Sequence, residues 1–141
     1  MKYLITFLFT LIFQMGFSQS KSDLHVTLNG LHNNDGELSI YIHQGPEGFP
    51  DKNMYRVVKI KSFTAPVAKI VIPNILYGST AISVLHDENS SGKMDFNFVH
   101  YPTESFGFYK NYKVSLRRPD YEEVAFDVNQ PKMEIEIKMQ N

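Results

Sequence analysis

The sequence predicts an all-β, single-domain antiparallel β-sandwich of about seven strands, Greek-key in its connections and immunoglobulin- or transthyretin-like in build. Three observations lead there. Period-two alternation of apolar and polar residues recurs along the chain, turn-forming residues separate the runs, and no stretch after the first residues keeps a helical period. With 141 residues, 43% of them hydrophobic, the chain is long enough for one core. An up-and-down barrel is the alternative architecture.

Met1-Lys2 gives a positive start, residues 3–13 are apolar apart from Thr6 and Thr10, and Gly16-Phe17-Ser18 places small residues before Gln19. That order predicts a signal peptide over residues 1–18 and a β-sandwich domain over 19–141. A spanning helix needs about 20 apolar residues, and Gln14, Gln19 and Lys21 interrupt this run too early. The expected location is therefore secreted or periplasmic, with no transmembrane segment in the mature chain.

Leu24, Val26 and Leu28 alternate with His25 and Thr27, and Leu38, Ile40 and Ile42 alternate with Ser39 and Tyr41. The intervening Asn33-Asn34-Asp35-Gly36 predicts a hairpin between them. One allowed register of that hairpin would set His25 opposite His43, although no third metal ligand accompanies the pair. Residues 44–53 contain Gly45, Pro46, Gly48 and Pro50 and read as a loop anchored by Phe49. Residues 55–63 are rich in β-formers, and residues 67–72 form another run that should end at Pro73. Residues 80–85, apolar on both faces except Ser83, suit a central strand. An irregular excursion over 96–112 carries Phe98, Tyr101, Phe106, Phe108 and Tyr109. Val124, Phe126 and Val128 alternate, and Met133, Ile135, Ile137 and Met139 give the cleanest one-sided strand.

Composition excludes several chemistries. The absence of Cys removes disulfides, thiolate metal sites and cysteine nucleophiles. A formal charge of -1, becoming -2 once Lys2 is lost with the leader, offers no basic field for nucleic acid. The most specific local signal is the acidic segment beginning at Asp87. Asp87, Asn89 and Ser91 fall at positions one, three and five of a calcium loop, Gly92 at six, the Lys93 carbonyl at seven and Asp95 at nine. Alternate side chains of a curled loop converge on one point, where a hard cation takes six to eight oxygens. Position twelve is Phe98 rather than Glu, so Glu88 or Glu104 would supply the missing carboxylate from a differently folded loop. The competing reading is a polar turn between strands.

His86 with Asp87 or Glu104 would be the base and orienting partner of a hydrolase, but no nucleophile motif accompanies them. Tyr101, Phe106 and Tyr109 are the candidate ligand-binding rings, either a platform for a carbohydrate or peptide of the cell envelope or a lid on the core. The expected function is an exported, non-enzymatic domain whose calcium-ordered loop supports a binding surface.

Leu24 to Gly30, Asp35-Gly36 and Gly48-Phe49-Pro50 open a pattern that continues with His86-Asp87-Glu88-Asn89, Gly92, Lys93 and Asp95. Pro102, Glu104, Gly107 and Phe108 follow, and the pattern closes with residues 121–126 and 133–139. It resembles the secreted bacterial domain of unknown function 2141 family over nearly all of the mature chain. The resemblance implies an exported single-domain β-protein and adds no reaction. Ser91-Gly92 stands where that family commonly has Asn-Gly.

Overall fold

The computed structural model describes residues 20–115 and 117–140; the expected signal peptide at 1–18 lies outside them. Among the described residues eight strands form two sheets. β1 (Lys21–Asn29), β4 (Val67–Leu76) and β8 (Lys132–Lys138) make a three-stranded sheet in the order β4-β1-β8. β2 (Glu37–His43), β3 (Arg56–Ile60), β5 (Gly78–Asp87) and β6 (Phe106–Phe108) make the other, in the order β3-β2-β5-β6. β7 (Phe126–Val128) pairs with β5 near its start, at Gly78 to Thr80.

Alternation fixes which side chains face inward. Leu24, Val26 and Leu28 of β1 meet Leu38, Ile40 and Ile42 of β2, Ile82 and Val84 of β5, and Ile135 and Ile137 of β8 in the main core. Burying each such side chain is worth about 1.5–3 kcal/mol, and together they hold the sheets face to face. β5 is central, as its two-sided apolar run predicts. Its outward Ala81 packs into a second cluster with Phe106, Phe108, Tyr121 and Val124.

Four local expectations are corrected. First, β1 and β2 are not a hairpin. They belong to different sheets, and the connection over residues 30–36 crosses between them with Leu31 buried in the core. His25 therefore faces Val71 and Glu134, while His43 faces Ala81, so no His25–His43 pair forms. Second, the sheets are not wholly antiparallel, because β8 runs parallel to β1. The long chain between those strands supplies the crossover that a parallel pair requires. Third, β4 continues through Pro73. The register shifts between Ser22 and Leu24, so Pro73-Asn74 bulges from an edge strand where the missing N–H costs no ladder bond. Fourth, Val124 belongs to a single helical turn, α1 (Tyr121–Val124), rather than to a strand alternation.

One side of the sandwich is stitched. Phe106 N–H donates to the Gln140 carbonyl at 2.9 Å, and Gln140 N–H returns to the Phe106 carbonyl at 2.7 Å. This joins the β6 edge of one sheet to the end of β8 in the other. Among the described residues no helix is long and apolar enough to cross a membrane.

Candidate ligand groove and acidic loop

β5 ends at Asp87, and the acidic loop folds back on that residue. Asp87 Oδ1 accepts the Ser91 N–H at 2.8 Å and Oδ2 accepts the Gly92 N–H at 2.7 Å. Asn89 Oδ1 accepts the Ser91 N–H at 2.9 Å, and its Nδ2 donates to Asp95 at 2.6 Å. The Lys93 carbonyl accepts the Ser91 hydroxyl at 3.0 Å. Glu104, buried, reaches in from the excursion and accepts the backbone N–H groups of Glu88 and Asp95 at 3.1 and 3.3 Å. Burial raises the Glu104 carboxyl above its ordinary range, and the Asp87 and Asp95 charges add to that, against the hydrogen bond from Asp95.

The six residues expected around a cation are thus neighbours, held together by carboxylate-to-backbone hydrogen bonds. Among the described residues no group of three His, Asp or Glu side chains stands at metal-ligand spacing.

Outside the five-stranded sheet lies a groove of about 700 Å3. Its floor is formed by the outward residues Tyr41, Ser83 and Leu85 together with Phe106 and Phe108. Pro50, Asp51 and Met54 wall one side, and Gly92 to Met94 of the acidic loop line it as well. Arg118 ion-pairs with Asp51 across the mouth, an exposed contact that opens at little cost. Arg117 is instead held bidentately by Glu123 at 2.8 Å for both bonds, which pulls that carboxyl down to about 2.

Above the groove stands a tongue over residues 96–102. Asn97 Oδ1 accepts the N–H groups of Val99 and Tyr101, both at 3.0 Å, so the tip has a fixed backbone. Phe98 is 94% exposed at that tip, while Phe96 and Tyr101, at 56% and 50%, sit on the groove rim.

The three predicted ligand-binding rings therefore occupy different places. Tyr101 is on the rim and Phe106 is buried in the floor. Tyr109 lies elsewhere, tilted on Phe126 with ring centroids 4.4 Å apart at the edge of the main core. His86 is buried and edge-on to Phe63 at 5.2 Å, which counts against the hydrolase expectation. Tyr41, Asp51 and Arg118 escaped the sequence reading. Only the outward parity of Tyr41 on its strand could have flagged the first.

A second cleft, of about 670 Å3, borders Tyr121 and Ser79. Its central hydroxyl is already engaged: Tyr121 Oη accepts the Gly45 N–H at 3.1 Å and donates to Ser79 Oγ at 3.2 Å.

His43 underlies the groove wall. It is fully buried beside Phe49, ring centroids 5.0 Å apart, and neither ring nitrogen has a hydrogen-bond partner. Burial lowers its proton affinity from the ordinary 6.5, outweighing the Pro50 carbonyl and Asp51, which act the other way. Above 6.5 both folded and unfolded chains keep it neutral. Below that value the unfolded chain binds a proton that the fold refuses, so stability falls with acidification. His43→Leu should flatten the drop in urea midpoint between pH 7 and pH 5; an unchanged drop would remove His43 from that response.

The family described as an uncharacterized protein conserved in bacteria (DUF2141) matches residues 26–136. No significant match was found among curated proteins or among solved structures.

Proposed function

We propose, from the premise that this chain belongs to the DUF2141 family of uncharacterized bacterial proteins, that it is an exported, non-catalytic binding module of the cell envelope. Its ligand is an extended carbohydrate or peptide lying in the groove of the five-stranded sheet. The observation that carries this reading is the pairing of half-exposed Phe96 and Tyr101 on the rim with a floor of rings and hydroxyls. Rings exposed beside a preformed concavity are what a stacking ligand needs. Lys93 makes no ion pair among the described residues and lies on the same rim, which favours a ligand with an acidic group.

Calcium is a second reading, favoured by one observation. The loop that lines the groove through Gly92 to Met94 also carries Asp87 and Asp95 beside a Glu104 whose charge the site resists. A cation held by Asp87, Asn89, Ser91, Lys93, Asp95 and Glu104 would relieve that repulsion and stiffen the wall.

One titration tests both. An acidic hexasaccharide and an acidic hexapeptide are added to the protein in millimolar calcium and again in excess chelator. One of them should bind, and Tyr101→Ala should weaken it about tenfold, the usual scale for an aromatic anchor. Binding of neither, or equal binding by the variant, would remove the groove reading. Melts in the same two buffers should differ by roughly ten degrees if calcium is present at a hundred times its dissociation constant; coincident melts would leave the loop as a turn.

A further inference from the structure

We infer, resting on the groove reading above, that the ligand is an acidic glycan built of uronate-bearing sugars, and that Arg118 reads its carboxylate by giving up Asp51. The charges lining the groove are unequal in sign. Among the described residues there, Lys93, Arg117 and Arg118 stand against the one carboxylate of Asp51, on a chain whose formal net charge is -1. Glu123 already holds Arg117 through two bonds. Arg118 is held far less firmly. Its side chain and that of Asp51 are 59% and 61% exposed, and an ion pair in that setting is weak.

Asp51 stands where the carboxylate of a ligand would sit. The contact is a single bond from Arg118 Nη1 to Asp51 Oδ1, whereas a guanidinium fork can hold a carboxylate by two parallel bonds. A ligand carboxylate free to align with the fork gains the second bond and displaces Asp51 into solvent. The exchange keeps Arg118 paired throughout, and no charge is left buried.

The strands under the groove favour sugar over peptide. An extended peptide that joins a sheet draws its affinity from main-chain hydrogen bonds to an open strand edge. Among the described residues β2 is paired on both sides, by β3 and β5, and β5 likewise by β2 and β6. At β6 the Phe106 N–H and carbonyl are both taken by Gln140. The groove therefore meets its ligand with side chains. Phe96 and Tyr101 offer ring faces, while Tyr41, Ser83 and Ser115 bring hydroxyls that donate and accept. A pyranose carries the complement of both, C–H faces for the rings and hydroxyls for the hydroxyls.

The test is a calorimetric titration of the purified protein with hexagalacturonate, with the neutral galactose hexamer of the same linkage, and with hexaglutamate. Hexagalacturonate should bind about tenfold more tightly than the neutral hexamer, the scale of a hydrogen bond to a charged group. Arg118→Gln should abolish that preference. Asp51→Asn should tighten hexagalacturonate about threefold and leave the neutral hexamer unchanged, because it deletes the competing carboxylate. Both side chains are exposed, so neither substitution threatens the core. Hexaglutamate bound as tightly as hexagalacturonate, or more tightly, would overturn the glycan inference and leave the groove reading standing. Binding of none of the three would remove both. Equal affinity for the two sugars, a preference that survives Arg118→Gln, or unchanged affinity in Asp51→Asn would overturn the exchange at Arg118.

Discussion

Gly36→Ala is expected to cost about 3–5 kcal/mol of folding stability, among the largest losses a single methyl can cause. Gly36 has φ +71°, a left-handed conformation in which a side chain is strained. Strain alone is worth about 1–3 kcal/mol. The larger part comes from what the new Cβ would meet: the Asp87 carbonyl oxygen, and the Cα and carbonyl carbon of Glu88, both at 2.7 Å. All three are backbone atoms, so no rotamer change relieves the clash. The end of the β2–β5 ladder, where Glu37 pairs with Asp87, would have to part. Gly92→Ala is the control. It has φ +82° but nothing within 4 Å of the added carbon, so only the strain applies. Urea unfolding of both variants at unchanged m-value reads the difference. Losses within about 0.5 kcal/mol of each other would mean that the close approach at Gly36 is absent in solution.

Position 36 also shows where sequence reading stops. Asp35-Gly36 marks a bend in the backbone, but the same signal serves a hairpin and a crossing between sheets. Period-two alternation tells which face of Leu24, Val26 and Leu28 is buried; it does not say which strand lies alongside. β1 and β2 bury the same residues whether they pair or face each other, so the inward side chains were legible and the partners were not. Residues 80–85 were different, because apolar character on both faces demands cover on both, and only a central strand receives it.

The acidic loop was legible as a unit, since Asp87, Asn89, Ser91 and Asp95 lie within nine consecutive residues. The groove was not. Its floor and walls come from β2, β5, β6 and three separate loops, with no period linking Tyr41, Asp51, Tyr101 and Arg118. Nor was the approach of His32 Nδ1 to Glu88 at 3.7 Å, because His32 arrives through the crossing between the sheets, which the expected hairpin did not allow for.

The seam between the sheets carries the second large effect. Gly107 sits mid-strand in β6 with Phe106 and Phe108 turned outward to the groove floor, so its own missing side chain faces β8. A Cβ there would lie 2.7 Å from Ile137 Cγ2, 3.1 Å from the Lys138 carbonyl oxygen and 3.2 Å from Met139 Sδ. Gly107→Ala should therefore cost about 2–3 kcal/mol through overpacking. Ile137→Ala, at a fully buried position, should cost about 2–5 kcal/mol through the cavity it leaves. The pair should cost less than the sum by at least about 1 kcal/mol, because removing Ile137 Cγ2 makes the room that the new methyl needs. Rescue should stop short of complete, since the Lys138 carbonyl belongs to the backbone and stays. Additive losses in urea unfolding would show that β6 moves away from β8 as a rigid strand. In that case Phe106 and Phe108 would move with it, and ligand affinity of Gly107→Ala would fall along with stability.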